Sequence, residues 1–488
     1  MTLNEKDYRS KIRGCWMGKN IGGTLGAPME FLRQVNNVSF YQQKLTGEPL
    51  PNDDLDIQLL WLVALEEQGL DLNAQTLADY WCLYVTPHWS EYGTAKANMR
   101  SGLLPPLSGT YQNAYRHSCG AFIRSEIWAC IAPGQPRLAT QYALQDAILD
   151  HGHGEGTYGE VFCTALEAAA FINSDLRELI KVGLSYIPAE CGIARAVRCA
   201  VDCIDRKLDW RAARDVILEQ HRGSTCLGDL KRTSLEDQAK GFHIGVQGYD
   251  APSNIAILVY GLLYGGDDFD RMICTTVNMG EDTDCTAATA GAIFGIIHGI
   301  GAIPERWIKP IGHSIKTACL NLGELALGQQ LPQTIEELSE RTERVMRHLA
   351  SRPNRHRDNG ELYRGLTGNT FRFPFLTVDV DYGDDPGLRN GEPKTLRITL
   401  REPYKVQSNV SLHWYLPAEL TIQPADTCLV QCLPAVLGPP VTVEFTLLAN
   451  RVDRAITRAV LELTVEGRPT VMTVPITLLN GNVRTEVS

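Results

Sequence analysis

The spacing of apolar residues changes character once along this chain, and that single change limits the fold more than any short motif does. From residue 8 to about 349 the apolar positions recur mostly at helical spacing, as in 56–65 and 161–168. Beyond a polar, charged stretch at 352–358, short runs rich in β-branched residues take over, at 375–380, 395–400, 441–447 and 459–465. Gly, Pro and Asn turns separate them. We therefore expect a mainly α protein: an all-α domain over 1–352, a linker over 353–370 and a smaller all-β sandwich domain over 371–488.

Within the helical part, Gly291, Gly295 and Gly299 recur every four residues and share one helix face, where a second backbone can approach closely. That helix is expected to be central. The 488 residues suffice for a large core, and 44% hydrophobic with 21% charged residues is ordinary for a globular chain. A formal net charge of -11 removes nucleic acid from the expected partners, because counterion release needs a basic face. The apolar stretch 287–303 is too short and too rich in glycine to span a membrane. Residues 1–7 lack a basic start followed by an apolar core, so no secretory signal is read and the cytoplasm is the expected compartment. Fourteen cysteines are scattered without any Cys-x-x-Cys pair, which favours reduced thiols. Cys199 with Cys203, and Cys428 with Cys432, lack the further ligands of a zinc site.

Two short acidic clusters carry the chemistry. Asn52, Asp53 and Asp54 precede one apolar helical run, and Glu281, Asp282, Thr283, Asp284 and Cys285 precede another. Adjacent carboxylates repel each other and need a cation, a proton or bulk water for relief. Aspartate at a helix start also serves as a cap, which accounts for the first cluster without any metal. The second cluster weighs the other way: small residues after it, Ala287, Ala288 and Gly291, carry the loop into the core. No Lys or Arg lies between Thr275 and Gly301 to neutralise it. Converging in space, the two clusters would offer the hard oxygen ligands that magnesium requires. Several motifs are refused. The EF-hand spacing is missing. Residues 154–159 satisfy G-x-G-x-x-G, but the stretch before them looks helical, so no dinucleotide site is read. Gly18, Lys19 and Asn20 lack the spacing of a P-loop, and residues 53–57 do not supply the D-D-x-x-D of a prenyl-diphosphate enzyme. His151 and His153 read as loop residues, solvated or standing behind ligands.

The segments Arg13-Gly14-Cys15-Trp16-Met17-Gly18, Leu25-Gly26-Ala27-Pro28-Met29-Glu30, Asp53-Asp54 and Asp282-Thr283-Asp284, in that order and spacing, resemble the ADP-ribosylglycohydrolase family over most of residues 8–320. The resemblance implies an all-α orthogonal helical domain that binds two magnesium ions, with manganese as a substitute. It implies cleavage of the glycosidic bond joining ADP-ribose to a protein side chain or small acceptor. The metal ligands would be Asn52, Asp53, Asp54, Asp282, Asp284 and Cys285. Asn52 stands where the family has threonine, and Cys285 where a hydroxyl reaches a metal; a thiol is a poor magnesium ligand. Glu30 matches a family glutamate at the metals, and Glu91 falls where an aspartate is proposed as general base, so these two are the expected catalytic carboxylates. Cys119, Gly120 and Arg124 match a substrate loop that usually reads Asn-Gly-x-x-Met-Arg. Gly156, Thr157, Tyr158 and Gly159 are expected to line the pocket. The implied partner is a small-molecule or ADP-ribosylated protein substrate, with no nucleic acid and no membrane; oligomeric state is left open. Two other readings stand beside this one: a hydrolase of another ribosyl or N-glycosyl small molecule, and a non-catalytic, metal-dependent binder of ADP-ribose.

Overall fold

The computed structural model describes residues 3–223, 232–244, 250–322, 331–350, 368–374, 376–383, 385–401, 408–433 and 437–482. Helices account for the regular structure up to Ala350 and strands for that from Gly368 onward, so the period switch read from the sequence is the switch in structure. Residues 353–367 of the expected linker lie outside the described residues, and 368–370 open the first strand.

The helical unit is organised around two helices that are buried on nearly every side. The first, Glu5–Gly26, is buried continuously from Gly14 to Gly26. The second, Thr283–His298, is buried from Thr283 to Ile297. Such helices approach closely only if one face lacks side chains, and here both do. A Cβ placed on Gly14 would lie 2.6 Å from the Gly295 carbonyl oxygen, on Gly18 2.0 Å from that of Gly291, on Gly22 2.1 Å from that of Ala287, and on Gly26 2.3 Å from that of Thr283. Four positions, each four residues on from the last, thus set one register. Its result is positional: the end of the first helix, and Glu30 just beyond it, is brought to the start of the second. The Thr283 hydroxyl donates to the Gly26 carbonyl at 2.8 Å and holds that end.

A third buried helix, Asp53–Gln68, starts at an Asn52 cap whose side-chain oxygen accepts the Asp54 N–H at 2.8 Å. Helices Glu155–Ala170 and Ala251–Gly265 pack on the Thr283–His298 helix. The cysteines among the described residues are all free thiols. No helix among them is long and apolar enough to cross a membrane.

The second compact unit holds ten described strands: β1 Gly368–Arg372, β2 Thr377–Asp381, β3 Gly387–Leu388, β4 Pro393–Arg401, β5 Ser408–Tyr415, β6 Leu420–Gln423, β7 Thr427–Cys432, β8 Val441–Ala449, β9 Ile456–Val465 and β10 Val471–Asn480. They form two five-stranded sheets, ordered β1-β2-β4-β8-β6 and β3-β10-β9-β5-β7. Pairing is antiparallel except between β10 and β3. Alternation decides which side chains turn inward: Leu396, Ile398 and Leu400 from one sheet, and Leu461, Leu463, Val474 and Ile476 from the other, join one apolar cluster. Residues Ala97–Tyr111, which the sequence reading assigns to the helical domain, group with the strands. The cause is local: Leu103 and Leu107 belong to the same apolar cluster, and the Asn369 side chain donates to the Leu104 and Pro105 carbonyls at 3.3 and 2.9 Å.

Candidate metal and catalytic site

The two acidic clusters meet. Side-chain atoms of Asp54, Asp284 and Cys285 all lie within 4.8 Å of one another, and so do those of Glu30, Asp282 and Asp284. The two groups share Asp284. A tight turn delivers it: Gly280 and Glu281 both adopt positive φ, +79° and +68°. For a residue with a side chain that conformation costs about 1–2 kcal/mol. Glu281 is held in it by Arg33, whose guanidinium donates to both carboxylate oxygens at 2.7 Å in a buried pair. The Asp282 N–H is taken by the Asn254 side chain at 3.1 Å.

Capping does not explain these aspartates. Asp282 stands at the N-cap of its helix, yet its side chain caps nothing. Among the described residues, both oxygens of Asp54 and one each of Asp282 and Asp284 are buried without a hydrogen-bond partner. Buried acceptors of this kind are costly unless something positive meets them. Their proton affinities carry the same message. Burial, then the charges of Asp284, Asp53 and Asp54, push Glu30 up to about 10. Burial and Glu30 push Asp282 up to about 7, while burial and Asp282 hold Asp284 well above the carboxylate range. Asp54 is raised by burial although the Lys19 charge opposes the rise, and Asp53, whose carboxylate accepts from Tyr92 at 3.3 Å, is raised by burial too. Oxygen ligands in this number, several without a partner among the described residues and repelling one another, fit a divalent cation.

This geometry sets a sign. A carboxylate whose folded pKa is raised binds its proton in the native state while the unfolded chain has already released it. Stability of the cation-free protein therefore falls as pH rises from the ordinary carboxylate value near 4.5 through about 7 for Asp282 and on to about 10 for Glu30. With a chelator present, the melting temperature should drop by on the order of 5 °C between about pH 5 and pH 9, and a divalent cation should abolish the drop. Thermal unfolding followed by circular dichroism reads it; a melting temperature that rises with pH in chelator would contradict the assignment.

Asn52 is placed differently from its expected role. Its oxygen caps the Asp53–Gln68 helix, and its amide nitrogen faces Asp284 at 3.5 Å, so it presents a donor to the cluster instead of a ligand oxygen. Here the capping reading accounts for the residue.

A second set of polar groups stands beside the cluster. Glu91 is buried and pushed up to about 7 by burial, while Ser118 hydrogen-bonds to its carboxylate and the His151 charge opposes the rise. Gly120 makes room for it: a Cβ there would lie 2.0 Å from Glu91 Oε1. Ser118 Oγ lies 3.1 Å from His151 Nε2, and His151 Nδ1 lies 2.8 Å from Asp150 Oδ1. Arg124 donates to both oxygens of Asp150, at 3.0 and 2.6 Å, and to Asp146 at 2.8 Å. That cation and His151 hold Asp150 below the usual carboxylate range in spite of its burial.

A family model described as ADP-ribosylglycohydrolase matches residues 4–348. The chain belongs to the ADP-ribosylglycohydrolase family. The family is one of glycosidic hydrolases, dependent on metal in general, and it acts on ADP-ribosylated substrates. An uncharacterized protein of Archaeoglobus fulgidus is 23% identical over 311 residues, which is 61% of this chain and 90% of that protein. A solved structure described as an ADP-ribosylglycohydrolase-related protein complex aligns at a TM-score of 0.45 and 18% identity, covering 70% of this chain and 99% of that one.

The remaining expected residues fall in different settings. The Cys119 thiol hydrogen-bonds to Asp282, and Gly120 packs on Glu91, so the loop joins the cluster to Glu91. Arg124, expected at the substrate, is fully buried; its donors go to Asp146, Asp150 and the Gly120 carbonyl, which makes it a brace under the loop. Gly156 lies against His151, where a Cβ would come within 1.9 Å of the ring, and the Thr157 hydroxyl donates to the Gly152 carbonyl at 2.9 Å. Gly159 faces Ile255 and Phe122, and Tyr158 is half-buried. These four form the first turns of the Glu155–Ala170 helix, which follows another helix, Pro136–Ala147, as the refusal of a dinucleotide motif expects. Lys19 is equally buried, paired with Glu126 at 2.7 Å. Ser118, Asp150 and the inward role of His151 have no sequence signal: they meet across 33 residues through single hydrogen bonds.

Proposed function

We propose that this chain hydrolyses the glycosidic bond linking ADP-ribose to a protein side chain or small acceptor, using divalent cations held by Glu30, Asp54, Asp282 and Asp284, with Asp53 beside them. The observation that carries the reading is the pair of donor groups joined at Asp284, with buried carboxylate oxygens left without partners. Bound there, a divalent cation supplies Lewis-acid polarisation and a template for neighbouring ribose hydroxyls; magnesium suits the all-oxygen group and manganese can replace it. The aspartates' negative charge favours the oxocarbenium-like centre that forms as the bond breaks.

Glu91 is the general base in this reading. A carboxylate near pH 7 is matched to taking a proton from water and giving it up again. The proton can pass as far as His151, which is itself buried. Asp150, kept ionised by Arg124, accepts the His151 Nδ1–H, which leaves Nε2 facing Ser118. With His151 neutral, protonated Glu91 donates to Ser118 Oγ, whose own hydrogen passes to Nε2. Ser118 is a positioning residue for this exchange.

Ser118→Ala removes a hydrogen bond that stabilises the Glu91 carboxylate, so the acidic limb of the kcat–pH profile should move upward from about 7 and kcat should fall about tenfold. KM should stay nearly unchanged. A profile that keeps its midpoint would remove Glu91 from the role. The function itself is tested by product release from ADP-ribosylated arginine, ADP-ribosylated serine and small ribosides, each with magnesium and with chelator. Turnover of ribosides alone would point to another N-glycosyl substrate, and tight cation-dependent binding of ADP-ribose without product would point to a binder.

A further inference from the structure

The two donor groups that share Asp284 differ in one respect that the proposed function, on whose cation reading this inference rests, does not use. Glu30, Asp282 and Asp284 offer oxygen alone; Asp54, Asp284 and Cys285 offer two carboxylates and a sulfur. We propose that the two cation positions are chemically unequal: the oxygen group takes a hard cation such as magnesium, whereas the Asp54–Asp284–Cys285 group takes a thiophilic cation of the zinc type, with Cys285 Sγ as a ligand.

Geometry permits it. Three atoms all within 4.8 Å of one another have a common point no more than about 2.8 Å from each (4.8 Å divided by the square root of three), and zinc–oxygen and zinc–sulfur bonds run at roughly 2.0–2.3 Å. A small inward rotation of each side chain closes the difference. The neighbouring hydroxyls are oriented by the backbone: that of Thr283 donates to the Gly26 carbonyl and that of Thr286 to the Asp282 carbonyl at 2.9 Å. The Cys285 thiol hydrogen-bonds to the Asp282 carboxylate, and its sulfur, within 4.8 Å of the Asp54 and Asp284 oxygens, completes the group. Cys285 is only 7% exposed, and both Asp54 oxygens beside it are buried without a partner among the described residues. An unpaired buried carboxylate next to a buried thiol asks for a cation that accepts both donor types, and softness selects zinc, cobalt or iron over magnesium. Binding exchanges the thiol proton for the metal: one S–H bond breaks, one metal–sulfur bond forms, and the proton leaves to solvent.

The test uses the full chain, stripped with chelator and titrated with cobalt(II), which reports a thiolate ligand through a near-ultraviolet charge-transfer band. The band should appear at one equivalent in the unaltered chain, persist in Cys119→Ser and vanish in Cys285→Thr, which restores a hydroxyl. Calorimetry in the same preparations should give zinc a preference over magnesium of about 100-fold at this position, reduced at least tenfold in Cys285→Thr. No band in the unaltered chain, or a band that survives Cys285→Thr, overturns the proposal; the unaltered chain alone decides the first point should the variant fold poorly. Hydrolysis of ADP-ribosylated substrates measured alongside separates the two readings. Activity without a band sinks the thiolate ligand and leaves the hydrolase, while a band without activity does the reverse.

Discussion

Asp284→Asn should cost about a thousandfold or more in kcat/KM and abolish measurable divalent-cation binding, with the fold retained. Asp284 is the residue common to both donor groups, so its loss disables both positions at once, where loss of Asp54 or Glu30 leaves one group whole. The stability change has the opposite sign to a usual buried substitution. Without cations, Asp284 sits among carboxylates whose repulsion, together with burial, keeps its proton affinity high. An amide there carries no charge, so the cation-free variant should melt at or above the temperature of the cation-free parent above about pH 7. Steady-state hydrolysis, calorimetry with magnesium and paired thermal melts check all three statements. Retained activity would end the assignment of the cluster, and a collapse in melting temperature would show that Asp284 is structural.

Gly18→Val or Gly291→Val is expected to be among the most damaging changes in the helical unit. Each would place side-chain carbon about 2 Å from a carbonyl of the facing helix, and no rotamer avoids a clash made by Cβ itself. The helices have to separate, opening the site that their register builds. A loss above about 4 kcal/mol is expected, out of the roughly 5–15 kcal/mol that holds a typical domain together. Soluble yield and thermal unfolding read this directly. Gly301→Ala is the control: nothing lies within 4 Å of a Cβ there, and the change should stay within about 0.5 kcal/mol.

How much of this was legible depended on whether a residue's purpose repeats along the chain. The glycine stripe at Gly291 and Gly295 is readable because period four on a helix means one face, while Gly299, read as its third member, ends the helix at a φ of +77°. Its mate at Gly14, Gly18, Gly22 and Gly26 repeats as plainly, yet one sequence does not say which stripe faces which. The aspartates stand out because adjacent charges demand an account, whereas at Asn52 a cap and a ligand use the same oxygen at the same position, and the structure shows the cap. Ser118 and Asp150 leave no trace and His151 reads only as a loop histidine, since hydrogen bonds across a fold impose no spacing. Leu103 and Leu107 look like any helical core residues, and only the strands' apolar cluster shows which core they fill.

The close pairing of the first helix with Thr283–His298 also bears on how the chain is made. Asp284 follows Gly26 by 258 residues (284 minus 26). At roughly 5–20 residues per second, a ribosome needs on the order of 15–50 s to supply the second helix after the first. Throughout that interval the bare backbone face from Gly14 to Gly26 has no mate, and the other helices have no axis to gather on. The nascent chain has to shelter an unfinished core until the last fifth of its helical unit emerges.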